Sequence, residues 1–240
     1  MNEKILLNKS LLIVDDEPDL RDIIASELEF LGATVFQAEN INAAKEMMKH
    51  HRINLIISDI RMPGGTGIDL LNYVKEKNVS EPAVILITGF SDITIEEAFN
   101  RGAEALLSKP FLLDDLINSI KRYTSPLLER FHEVLPSDKS VYPFSVIDDV
   151  EFGRGGVTLP LEFEKTQFHV GEVIEFDFDY KNKHFSGSGV CRWLGPVIKG
   201  STKSLMGLEF LNLKPKTIEN LRNIFENKNI IPYIPYSLNQ

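Results

Sequence analysis

Leu55-Ile56-Ile57-Ser58-Asp59-Ile60-Arg61-Met62-Pro63-Gly64 decides how the first half of this chain folds. A short apolar run ends in one aspartate, and a Pro-Gly turn follows. A run apolar on both faces and too short for a helix reads as a buried parallel strand. This one delivers a carboxylate to its C-terminal edge, where open α/β sheets hold their ligands. Three more apolar runs end in polar groups that the same edge would collect. Residues 11–14 lead into Asp15 and Asp16, residues 84–87 into Thr88, and residues 106–108 into Lys109 and Pro110. One aspartate after a strand is ordinarily a cap or a turn residue. Five such residues in order, on four strand ends, bring three carboxylates, a hydroxyl and a lysine together.

The intervening segments read as helices. Pro18 suits a first turn, with Asp16 or Glu17 as cap. Leu20, Ile23, Ile24, Leu28 and Leu31 make one apolar face, closed by Gly32. Val35 and Phe36 give a second strand, and Ala44, Met47 and Met48 a second helix. Ile68, Leu71 and Val74 mark a third helix, Ile95, Ala98 and Phe99 a fourth, and Leu113, Leu116, Ile117 and Ile120 a fifth. Five βα alternations predict a doubly wound, five-stranded parallel sheet of the flavodoxin-like order.

With those residues in place, positions 9–123 resemble the receiver domain of two-component response regulators. The family's acidic pair falls on Asp15 and Asp16, its phosphoacceptor on Asp59, its switch hydroxyl on Thr88 and its lysine on Lys109, in Lys109-Pro110-Phe111. The resemblance implies phosphorylation of Asp59 by a histidine kinase or another phosphodonor. It also implies Mg²⁺, held by Asp16, Asp59 and the backbone carbonyl of Arg61, with Asp15 acting mainly through water. The chemistry is coherent. An aspartate can attack phosphorus and form an acyl phosphate, and clustered carboxylates favour a hard cation that bridges to phosphate oxygens. A lysine adds a point charge, and a threonine adds a mobile donor. Such a receiver assists its own phosphoryl transfer and dephosphorylation and is otherwise not an enzyme. Two positions depart from the family pattern. Leu106 stands where an aromatic switch residue is usual. Arg61 and Phe90 would border the path of a hydrolytic water, and the bulk of Phe90 predicts slow self-dephosphorylation.

The 240 residues allow one large or two small domains. The net charge of −9 divides unevenly. Residues 1–139 hold 15 Lys and Arg against 23 Asp and Glu, or −8; residues 140–240 hold 11 against 12, or −1. Neither half is basic, which argues against nucleic acid as a partner. No apolar run approaches a membrane span, and no secretory signal is visible. Cys191 is the single cysteine, which suits a reducing cytoplasm and reads as a small buried side chain.

Residues 124–143, with prolines at 126, 136 and 143 among polar residues, read as a linker, within which Leu127, Leu128 and Phe131 extend the fifth helix past a proline break. Beyond it the period changes to two. Ile174, Phe176, Phe178 and Tyr180 share one strand face, with acids opposite. Residues 157–163 contain Pro160 and read as an edge strand. Phe185, Cys191 and Trp193 share a face of the next strand, and Met206, Leu208 and Phe210 a face of the last. Ile218, Leu221, Ile224 and Phe225 then form a C-terminal helix stripe. This predicts a small antiparallel β-barrel followed by a helix.

Residues 144–213 resemble a PilZ domain, on Val170-Gly171-Glu172-Val173, on Gly189 through Trp193 to Gly195, and on Met206-Gly207-Leu208-Glu209-Phe210. The resemblance implies cyclic di-GMP binding through an Arg-x-x-x-Arg motif and an Asp-x-Ser-x-x-Gly motif. Neither is intact. Arg122 and Arg130 are eight apart, and the best register for the second motif, Asp149-Val150-Glu151-Phe152-Gly153-Arg154, has Glu151 for serine and Arg154 for glycine. A non-binding domain is favoured over an atypical nucleotide binder. The chain thus divides into a receiver at 1–123, a linker at 124–143 and a PilZ-like body at 144–240. It reads as a cytoplasmic response regulator that signals to a protein partner. The partner would be met through the face between the fourth and fifth helices or through the barrel, and homodimerisation on phosphorylation stays open. The alternative is a two-input sensor that also binds cyclic di-GMP.

Overall fold

The computed structural model describes residues 4–89, 93–132, 140–143, 150–161, 168–197, 204–225 and 230–236. Phe90 and Asp149 lie outside them, as do positions 162 and 163 of the expected edge strand. The chain divides into two compact units, residues 1–94 with 101–125, and residues 95–100 with 126–240.

The first unit is built from β1 (Ser10–Val14), α1 (Pro18–Phe30), β2 (Thr34–Ala38), α2 (Ile41–His50), β3 (Leu55–Asp59), the two-residue strands β4 (Arg61–Met62) and β5 (Gly65–Thr66), α3 (Gly67–Lys77), β6 (Ala83–Thr88), β7 (Ala105–Ser108) and α5 (Leu113–Tyr123). Helix α4 (Ile95–Asn100) lies between β6 and β7 in the sequence but clusters with the second unit. The five long strands are parallel in the order β2-β1-β3-β6-β7, the flavodoxin-like order with its switch point between β1 and β3. Every residue of β3 and β6 is buried, as a central strand covered on both faces requires.

The helices follow their apolar stripes with one correction. Ile24 and Leu28 are buried, but Ile23 is 63% exposed. Residues 20, 24 and 28 form a stripe with a spacing of four, and at about 100° per residue position 23 falls off it. Glu17 is the N-cap of α1, but no side chain of its own caps the helix. Instead Asp15 Oδ1 accepts the Glu17 N–H at 2.9 Å. A buried ion pair ties the end of α3 to the approach to β7. Lys75 Nζ donates to Glu104 Oε1 at 3.0 Å and to the carbonyls of Pro82 and Val79, and Glu104 Oε2 accepts the Val84 N–H at 2.7 Å.

The second unit contains a 3-10 turn η1 (Leu127–Arg130), β8 (Ser140–Pro143), β9 (Glu151–Phe152), β10 (Gly156–Leu161), β11 (Val173–Tyr180), β12 (Lys183–Val197), β13 (Ser204–Leu213) and α6 (Pro215–Phe225). The strands form one sheet in the order β8-β11-β12-β13-β10-β9, antiparallel except for β8 beside β11. Its edges are β8 and β9, and among the described residues no strand pairing joins them. The stretch read as a linker is partly taken into this unit. Phe131 is buried in the same core as Phe176, Phe210 and Leu221, Leu127 and Leu128 pack on it, and β8 pairs with β11. Residues 127–130 make a 3-10 turn rather than more of α5. Pro160 sits where β10 has outrun β9, which pairs only with Val157 and Thr158, so the edge it needs is local. Lys181 and Asn182 join β11 to β12 with φ of 49° and 59°, the two positive values of a type I′ hairpin turn.

Candidate functional site

The C-terminal edge of the parallel sheet gathers the polar strand ends. β3 carries Asp59 there, and β4 and β5 fold back as a hairpin through Pro63 and Gly64, whose φ is +85°. Proline followed by a glycine of positive φ is the order a type II turn requires. Helix α3 then starts hard against the site. The Gly67 N–H bonds Ile60 O at 2.9 Å, and a Cβ at 67 would collide with the Asp59 carbonyl. Thr66 and Asp69 close a capping box over that helix end.

Lys109 is the hub. Its Nζ lies 2.7 Å from Asp59 Oδ1, 3.2 Å from Asp15 Oδ2 and 3.5 Å from Glu17 Oε1. The other Asp59 oxygen, Oδ2, accepts the Arg61 N–H at 2.6 Å. The Lys109 N–H donates to the Thr88 carbonyl at 2.6 Å, which fixes the end of β7 to the end of β6. Asp15, Asp59 and Thr88 are buried, whereas Asp16 is exposed. The structure therefore gathers Asp15, Asp59 and Lys109 in one ion cluster, with Arg61 joined through its backbone. Thr88 stands at the neighbouring strand end, and Asp16 is at the rim. Leu106 is half-buried on β7.

Burial pushes the Asp59 carboxyl above the ordinary carboxylate value, and the Asp15 charge pushes the same way. The Lys109 hydrogen bond and charge and the Arg61 N–H oppose this without cancelling it. Desolvation pulls Lys109 down, but the Asp59 hydrogen bond and the Asp15 charge outweigh it, so its ammonium is held above the ordinary lysine value. The pair is consistent. The two buried carboxylates share the Lys109 ammonium, which is held tightly.

Among the described residues no three Asp, Glu, His or Cys side chains close into a metal cage. Mg²⁺ does not need one, since it keeps several waters and takes one or two carboxylates. A buried carboxylate held above its usual pKa and a second one close enough to share a lysine are a hard-oxygen donor set that suits it.

Two participants escaped the sequence reading. Glu17 reaches the lysine, and the Arg21 guanidinium donates to the Asp15 carbonyl. The only signal for Arg21 was its place on the first turns of the helix that follows the acidic pair.

Comparison with known proteins places this geometry. Residues 11–121 match the model of the response regulator receiver domain. Sporulation initiation phosphotransferase F of Bacillus subtilis is 30% identical over 121 residues, which cover 49% of this chain and 95% of that protein. Transcriptional regulatory protein CrdR of Helicobacter pylori is 35% identical over 118 residues, 49% of this chain and 55% of that one. A response regulator receiver domain protein from Clostridium thermocellum, known from its crystal structure, is 28% identical with a TM-score of 0.46, covering 48% of this chain and 94% of that chain. The chain spans 27%, 55% and 24% of the length of the first three curated relatives it matches. Five parallel strands in the flavodoxin-like order, an aspartate and a lysine paired at their C-terminal edge, the receiver-domain model and the Bacillus subtilis relative agree: through residues 11–121, the chain belongs to the response regulator receiver family of two-component systems.

Proposed function

We propose that this protein is a phosphorylation-controlled adaptor. It takes a phosphoryl group on Asp59 and passes the change to a protein partner through a degenerate PilZ-like second half. The observation that carries the reading is the Lys109 ammonium bridging Asp59 and Asp15 at the sheet edge. The ionised Asp59 carboxylate attacks the phosphorus of an activated donor, such as the phosphohistidine of a kinase. The bond from phosphorus to the donor breaks, and an acyl phosphate forms. Lys109 supplies positive charge for the incoming phosphoryl oxygens, the Arg61 N–H steadies the carboxylate, and Thr88 offers its hydroxyl to the product. Asp15, Asp16, Asp59 and the Arg61 carbonyl would hold Mg²⁺, which would supply positive charge against the repulsion of carboxylate and phosphoryl group. The added charge of about −1.5 to −2 biases the strand ends that hold Thr88 and Lys109 between two packings.

We assign the receiver to 1–123 and the PilZ-like body to 144–240, with 124–143 joined to the latter through Phe131 and β8. No helix among the described residues is long and apolar enough to cross a membrane, and a cytoplasmic protein without a separate substrate fits the charge and the single cysteine. Buried Arg154 supports the non-binding reading of the second half. Its Nε donates to Ile231 O at 3.3 Å, so it is already engaged within the chain.

Two experiments test this reading. After treatment with acetyl phosphate and Mg²⁺, the phosphoryl group should map to Asp59; mapping to another residue would refute the site. Calorimetric titration of cyclic di-GMP into the full-length protein should give no heat, whereas micromolar binding would make it a two-input sensor.

A further inference from the structure

Residues 230–236, Ile-Ile-Pro-Tyr-Ile-Pro-Tyr, form neither helix nor strand, yet Tyr233 and Ile234 are fully buried. On one side the segment is bound like a peptide ligand to the start of β10. The Arg154 N–H donates to Pro232 O and the Gly155 N–H to Tyr233 O, each at 2.9 Å, and Thr158 Oγ1 donates to Pro235 O. The Tyr233 hydroxyl donates to Glu209 Oε1 at 3.2 Å, and buried Glu209 is held from the other side by Arg192 Nε at 2.6 Å. The three glycines at 153, 155 and 156 are the seat. A Cβ at 155 would stand inside the Tyr233 ring, one at 153 would strike Tyr233 and Pro235, and one at 156 would strike Ile234 and the Leu208 carbonyl. Glycine weakens a strand, and here its use is to leave room for one ring and its flanking prolines.

On its other side the segment holds α4, within the same unit. The Tyr233 N–H donates to Phe99 O at 2.8 Å and the Tyr236 N–H to Asn100 Oδ1 at 3.0 Å. The Phe99 and Tyr233 rings are 5.7 Å apart. A helix of six residues does not persist alone, and its last carbonyls need donors. Here the strap provides one.

We propose that residues 231–236 are a releasable intramolecular ligand. The glycine seat is a binding site for an extended Tyr-x-Pro segment, occupancy of the seat clamps α4, and phosphorylation of Asp59 favours release. The last clause rests on the function proposed above, because only six residues, 89–94, join Thr88 to α4. Release would uncover Phe99 and the seat together for a partner carrying the same peptide chemistry.

Hydrogen exchange on the full-length protein tests this. Gly155→Val blocks the seat without touching α4, and Phe99→Ala loosens the contact from the α4 side. In Gly155→Val the amides of 95–102 should exchange about tenfold faster while those of β12, in the same unit, stay protected; unchanged exchange at 95–102 would overturn the clamp. In Phe99→Ala faster exchange at 231–236 is expected, and this variant decides the matter if Gly155→Val loses protection in β12 as well. Unchanged exchange at 231–236 in Phe99→Ala would likewise overturn it. Wild-type protein phosphorylated on Asp59 should show faster exchange at both 95–102 and 231–236. Labelled protein without that change would refute phosphorylation-driven release. Failure to label at all would refute the proposed function instead, leaving the clamp to be judged on the two variants.

Discussion

Lys109 and Asp59 are joined by a 2.7 Å ion pair although one follows β7 and the other ends β3, 50 residues apart in sequence. The pair is a partial neutralisation. Burial outweighs one ammonium shared between two carboxylates, so Asp59 remains harder to ionise than an ordinary aspartate. Four consequences of that balance, and of burial elsewhere in the chain, can be measured.

Asp59 with a raised folded-state pKa contributes stability that is present at low pH and lost as pH rises through that pKa. Asp59→Asn has no charge to desolvate. Its melting temperature should exceed that of the wild type at pH 7, and the difference should shrink as pH falls through the Asp59 pKa. A difference independent of pH between 4 and 7 would contradict the assignment.

Lys109→Ala removes the main influence that lowers the Asp59 pKa and leaves Asp15 beside it. Phosphorylation by a small donor should slow by at least about tenfold, and the acidic limb of its pH profile should move to higher pH, because attack needs the ionised carboxylate. An unchanged rate and profile would remove the lysine from the mechanism.

Lys75→Met strands Glu104 in the core of the first unit, where it is 0% exposed. Leaving a buried charge without its partner costs about 3–5 kcal/mol, readable as a lower urea midpoint. Glu104→Gln added to Lys75→Met should recover part of the loss while keeping an acceptor for the Val84 N–H. A loss below about 1 kcal/mol would mean that the pair behaves as a surface one.

Burial, aided by the Glu172 charge, pushes the Cys191 thiol up to about 11. At pH 8 the thiolate fraction is then roughly 100-fold below that of a free cysteine. Iodoacetamide should leave folded protein unmodified and label it fully in urea; rapid labelling of folded protein would show the thiol to be open.

Much of the first unit was legible because buried parallel strands are short apolar runs, and a polar residue marks where each one ends. Asp15, Asp59, Thr88 and Lys109 were found in that way. Glu17 and Arg21 were not, since an exposed acid and a helix arginine carry no local sign of the group they reach. Lys75 sits in Val74-Lys75-Glu76-Lys77, which reads as a solvated face, and its partner is 29 residues away. In the second unit the period of two revealed β11, β12 and β13. Phe131 was assigned to a linker because prolines and polar residues surround it, and only tertiary packing shows it in the core. The segment 230–236 has no period at all. The use of the glycines at 153, 155 and 156 was not legible, because the ring that needs their space comes almost 80 residues later.

The most direct test of the central claim is the intact mass of full-length wild type and Asp59→Asn after incubation with acetyl phosphate and Mg²⁺. The wild type should gain the mass of one phosphoryl group, removable by hydroxylamine as an acyl phosphate is, and Asp59→Asn should gain none. Equal labelling of the two proteins would contradict the account.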